Sequence, residues 1–188
     1  YALTGAGIRS AIADAVAAGG GMVVLTAPAT LDSTTITVGQ ESPSKPVYLY
    51  LAYMGNMTGV ANPVFELTSH SAIVGLNLRA TELTIPAGGT GIRITTPAED
   101  WDISQLWLQA GAIAIKARGN SGGTDTPNGR IRYNFCQSQT GNAIELQSLA
   151  DRAVIDGNFI NSSGGAGIRI GVLNSGETSG GTNENCSI

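Results

Sequence analysis

Charge is scarce in this chain. Asp, Glu, Lys and Arg make up only 13% of its 188 residues, and aromatics only 5%. A disordered chain combines high charge with low hydrophobicity, and a long-helix protein is dominated by Ala, Glu, Lys, Leu and Arg. Neither description fits. Lysine occurs twice, at Lys45 and Lys116, and the net charge is −4. A surface that tracks phosphates needs clustered Lys and Arg, so no nucleic-acid partner is expected. No run of 18 apolar residues occurs, so no membrane span is expected either. The chain carries no signal peptide and opens at Tyr1, which reads as an excerpt of a longer or processed polypeptide. There is one histidine, His70, with no Asp or Cys partner implied by spacing, so a catalytic triad is unsupported. The two cysteines, Cys136 and Cys186, both fall at inward positions of the pattern below and read as buried free thiols rather than a disulfide.

What is abundant is glycine, 26 residues, about twice average usage, alongside many Ile, Val, Thr and Asn. That mixture suits short strands joined by tight turns. The strands recur. GIRI occurs at Gly91–Ile94 and again at Gly167–Ile170, with AIAI at Ala112–Ile115, AIEL at Ala143–Leu146 and VFEL at Val64–Leu67 as further copies. Between them runs a second pattern, IVGLNLRA from Ile73, ISQLWLQA from Ile103, IRYNFCQS from Ile131 and IDGNFINS from Ile155, with a fifth start at Ile188. Successive starts are 30, 28, 24 and 33 residues apart. Self-similarity at this period indicates a solenoid. Alternation within each unit has period two, so the units are strands, and no 3.6-residue stripe appears after about residue 20.

The expected fold class is therefore all-β: a right-handed, single-stranded parallel β-helix occupying residues 22–188, capped over residues 1–21 by one amphipathic helix with Ile8, Ile12 and Val16 on one face. A solenoid leaves core and strand edges open at its ends, and a helix there covers them. Stacking the copies gives a first internal column of Ile73, Ile103, Ile131 and Ile155. The second is Leu76, Leu106, Asn134 and Asn158, and the third is Leu78, Leu108, Cys136 and Ile160. The two long links, 115–131 and 170–188, leave the same side on non-adjacent coils.

The run AIADAVAAGGGMVVLTAPATL, followed by xIxL and IxxNxI units such as AIEL and VIDGNFI, resembles the right-handed parallel β-helices of the pectate-lyase-like superfamily. That group includes polysaccharide lyases, glycoside hydrolases and bacteriophage tailspikes. The resemblance spans nearly the whole chain. It departs at Pro28-Ala29-Thr30, where such proteins usually carry Pro-x-Gly, and no catalytic signature of the family is matched residue by residue. It implies a fold and a polysaccharide or surface glycan as partner. In the tailspike case it also implies a homotrimer at an extracellular or virion surface.

Three outward columns carry candidate chemistry. Asn77, Trp107, Phe135 and Phe159 align, about 4.8 Å apart per coil. Three stacked aromatics are either covered by a loop or a partner subunit, or form a platform for sugar rings. Glu66, Arg93, Ala114, Glu145 and Arg169 align as a ladder with opposite charges across strands. At a turn, Ser69, Glu99, Pro127, Asp151 and Glu184 align beside His70, Asp100, Asn128, Arg152 and Asn185. Glycoside hydrolysis needs two carboxyls on one face, roughly 5–10 Å apart, which makes Glu99, Asp100, Asp102 and Asp151 the candidate catalytic set. Arg152 beside Asp151 is the pairing a lyase would use. Turn carboxylates can also hold Ca²⁺; no other cofactor is implied. Asn134 and Asn158, on successive coils, are read as structural, hydrogen-bonding coil to coil. Two functions remain in view: a spike or fibre shaft that recognises a host glycan, and a secreted polysaccharide lyase or glycoside hydrolase.

Overall fold

The computed structural model of the chain describes residues 1–41, 44–52, 55–77, 81–94, 97–117, 126–147 and 152–172. Asp151, Leu78, Cys186 and Ile188, and most of both long links, lie outside the described residues. Helix α1 (Gly5–Ala17) is followed by β1 (Gly21–Leu25) and β2 (Ile36–Val38). Five three-stranded coils come next. The first is β3 (Val47–Leu51), β4 (Gly55–Thr58) and β5 (Phe65–Leu67), and the second β6 (Ala72–Gly75), β7 (Thr81–Ile85) and β8 (Thr90–Ile94). The third is β9 (Asp102–Ser104), β10 (Trp107–Ala110) and β11 (Ile113–Ala117), and the fourth β12 (Arg130–Arg132), β13 (Phe135–Gln137) and β14 (Ile144–Gln147). The fifth is β15 (Val154–Asp156), β16 (Phe159–Asn161) and β17 (Ile168–Val172). Corresponding strands pair in parallel into three sheets: β1-β3-β6-β9-β12-β15, β4-β7-β10-β13-β16 and β2-β5-β8-β11-β14-β17. The chain is a parallel β-solenoid with one short helix near its N-terminus.

Thr4 starts α1 by accepting the Gly7 amide at 3.1 Å on its hydroxyl, and Gly19 and Gly20, both at positive φ, end it. Ile8 and Ile12 are buried in the common core, worth roughly 1.5–3 kcal/mol each. Arg9 locks the helix to the β1–β2 loop through a two-pronged contact with Asp32, at 2.9 and 2.7 Å.

The first internal column is a single row. Val23, Leu49, Ile73, Ile103, Ile131 and Ile155 are successive register partners, and all from Leu49 onward are buried. The third sheet supplies two more rows, one through Phe65, Ile92, Ile115, Ile144 and Ile168 and one through Leu67, Ile94, Ala117, Leu146 and Ile170.

Two register expectations need correction. The row through Leu108 and Cys136 continues to Leu83 of β7 and Met57 of β4, not to the 78 position. The β6–β7 connection is three residues longer than the β9–β10 connection, so TELTI forms the strand, and Leu76 is 53% exposed while Leu106 is buried. The outward partner of Trp107 is consequently Glu82, not Asn77. The AIAI copy also sits two residues out of place: Ile115, Lys116 and Ala117 oppose Ile92, Arg93 and Ile94, so Lys116 replaces Ala114 in the charged ladder. A slip of two preserves the in–out alternation, so period alone cannot detect it.

Each turn repeats a left-handed residue. His70, Asp100, Asn128 and Arg152 (φ 53–60°) form one such column, and Gln105, Tyr133 and Gly157 another. At Gly157 a Cβ would lie 2.4 Å from the Tyr133 ring, which covers it.

Candidate functional site

The turn joining the third sheet to the first collects the candidate carboxylates. Backbone amides of the left-handed residues donate along the axis, His70 N to Glu99 O at 2.7 Å and Asp100 N to Pro127 O at 3.1 Å. Stacking coils in this way sets their side chains side by side. The two ring nitrogens of His70 face acids of the next coil, Nδ1 at 3.2 Å from Asp100 Oδ2 and Nε2 at 3.4 Å from Glu99 Oε1. His70 therefore has acidic partners, contrary to the reading from spacing. The aligned columns, which set it one coil from Asp100, were the signal. Below it, Glu41 accepts from Ser69 N and Ser69 Oγ, and Ser69 Oγ in turn accepts the Glu99 amide. Glu99 and Asp100 are about half exposed, at 55% and 52%. A carboxyl that protonates a leaving group is usually buried, and neither of these is.

Asp102 lies two residues on, on the outer face of β9, where Arg132 of the next coil donates to its Oδ2. Its Oδ1 is buried and has no partner among the described residues. Asp100 and Asp102 line one groove of about 440 Å³ together with Trp101, Asn128, Gly129, Arg130, Arg152 and Val154. These residues come from three consecutive coils. The groove is rigid for a specific reason. Trp101 is buried, its indole N–H donates to Thr126 O at 3.2 Å, and its ring fills the space a side chain at Gly129 would need. Arg152 is held by Nε donating to Asn128 Oδ1 at 2.9 Å. Of the expected carboxylate set, Glu99 and Asp100 adjoin, Asp100 and Asp102 share the groove, and Asp151 lies outside the described residues.

The aromatic column exists, on the outer face of the second sheet. Trp107, Phe135 and Phe159 are direct register partners. Phe135 and Phe159 stack with centroids 5.2 Å apart and planes 15° apart, and Trp107 meets Phe135 edge-on at 5.4 Å and 80°. The two Phe faces are spent on each other. Phe159 is 61% exposed. Sugar rings stack on faces, and the contact between Phe135 and Phe159 takes one face of each ring out of such use.

In the charged ladder, Arg93 pairs with Glu66 at 2.5 and 2.8 Å. Glu145 stands opposite Arg169 in register but turns to Lys116 at 3.6 Å and to the amides of Asn142 and Gln147. Cys136 is a free, buried thiol, and its burial pushes its pKa up to about 12. No protein-family model, no curated protein and no solved structure matches this chain.

Proposed function

We propose that this chain is a stretch of rigid shaft from a spike or fibre, of the pectate-lyase-like, tailspike type, that recognises a surface glycan at an extracellular or virion surface. The observation that carries this reading is the groove: polar side chains from three successive coils converge on a floor that packing holds still. Rigid, preformed concavities with a few convergent polar groups are the usual small-ligand sites, at roughly 300–1,000 Å³. Homotrimeric assembly is part of the proposal. Exposed Tyr1, Leu3, Met22, Val24 and Tyr48 at the N-terminal end, and Phe159 on the second sheet, supply apolar surface for it. Glycan-array binding tests recognition and light scattering tests assembly. A monomer at micromolar concentration removes the trimer, and an array without any bound glycan removes the recognition role.

A second reading is favoured by Asp100 and Asp102 lining the same groove, a pair of carboxylates such as glycoside hydrolysis employs. It expects release of reducing ends from a bound polysaccharide, lost in Asp100→Asn or Asp102→Asn. Activity unchanged in both substitutions would discard it.

A further inference from the structure

Two guanidiniums and two carboxylates line the groove. Asp100 already faces His70, and Asp102 already holds Arg132. The two guanidiniums of the groove lack acidic partners: among the described residues no carboxylate pairs with Arg130, and Arg152 is held only by the neutral amide of Asn128. Arg152 also occupies the left-handed region at φ 53°, which Asn and Asp tolerate far better than a long side chain does. Its tie to Asn128 holds it in the lining of the groove, which it shares with Arg130 of the preceding coil.

From this juxtaposition we propose that the groove is an oxyanion site, in which Arg130 and Arg152 take the sulfate, phosphate or carboxylate substituent of a sugar residue. Guanidinium presents paired donors that match such groups. Asn128 and the carboxylate of Asp100 are placed to hydrogen-bond the hydroxyls of the same sugar. The assignment rests on the glycan reading above and narrows it to anionic glycans. The site does not involve the aromatic column, which lies on a different sheet.

The test is an amide-shift NMR titration of the whole chain with sodium sulfate, sodium glucuronate and glucose. Sulfate and glucuronate are expected to shift the amides of Asn128, Gly129 and Arg130, with glucose at least about tenfold weaker. Arg130→Gln, which removes no side-chain hydrogen bond or ion pair among the described residues, and Arg152→Gln, which gives up the bond to Asn128, should each weaken glucuronate about tenfold, with amides away from the groove unchanged. Equal binding of glucose and glucuronate, or no groove shift with either anion, overturns the proposal. Glucuronate binding that survives both Arg substitutions and disappears in Phe159→Ala overturns the groove while leaving glycan recognition intact. Sulfate binding in the groove with neither sugar bound upholds the oxyanion site and counts against the glycan reading instead.

Discussion

Two turns of this solenoid use the same device to opposite ends. Between the first and second sheets, Asn134 points inward. Its Oδ1 accepts the Leu106 amide at 3.1 Å, and its Nδ2 donates to Ile103 O and to Asn158 Oδ1, each at 3.0 Å. Asn158 repeats the pattern one coil on, donating to Ile131 O at 2.7 Å. Between the third and first sheets, His70, Glu99, Asp100, Asn128 and Arg152 stack in the same axial fashion but point outward. The inward ladder satisfies backbone groups that no water reaches, so its polar atoms are consumed. The outward ladder satisfies its members sideways and leaves guanidinium donors over. Surplus donors on a stiff frame are what a binding surface needs, and a buried ladder has none to offer.

The sharpest way to break the comparison is to cut the inward ladder. Asn134→Ala strands the Leu106 amide and the Ile103 carbonyl away from water, and should cost about 3 kcal/mol, read as a lower denaturant midpoint. Next is the floor of the outward site. In Gly129→Ala the new methyl would sit 1.8 Å from the Trp101 ring, an overpacking expected to cost about 2 kcal/mol and to alter near-ultraviolet dichroism. Acid separates amide ladders from ionic contacts. The Arg9 guanidinium, and then the Thr34 amide, hold the Asp32 carboxyl down at about 2. Its contribution is complete above the ordinary carboxylate value of roughly 4 and is lost as pH falls from there towards 2. Acid should therefore loosen α1, followed by amide exchange of Ile8 and Ile12, while the Asn134 amides stay protected. The smallest effect belongs to the outward ladder itself. His70→Ala removes two exposed pairs and should change stability by less than about 1 kcal/mol. A loss of several kcal/mol would mean that the outward column is as structural as the inward one.

Much of this was legible in the residues. The isoleucine row and the Asn134–Asn158 ladder follow from period-two alternation and from the two-residue turn that the third, fourth and fifth coils share, both local properties. The helix over Ile8 and Ile12 follows from its stripe and its terminal glycines. The strand TELTI was missed because LNLRA, just before it, alternates equally well, and only the length of the preceding turn decides between them. The groove was half visible. Asp100 and Asp102 stood out as acids, but Arg130 did not, since nothing local marks a cation whose neighbours in the fold leave it unpaired.

Outside the β6–β7 connection and the β11 strand, the amino-acid pattern by itself determined which residues face inward and that coils stack like on like, because alternation and turn chemistry act over a few residues. Tertiary structure decided the rest. It chose between registers two residues apart, turned the Phe135 and Phe159 faces onto each other, gave Asp102 to Arg132, and set His70 between Glu99 and Asp100. Each of those outcomes depends on contacts between coils some 23–30 residues apart, whose geometry is set only when loop lengths and packing are satisfied together.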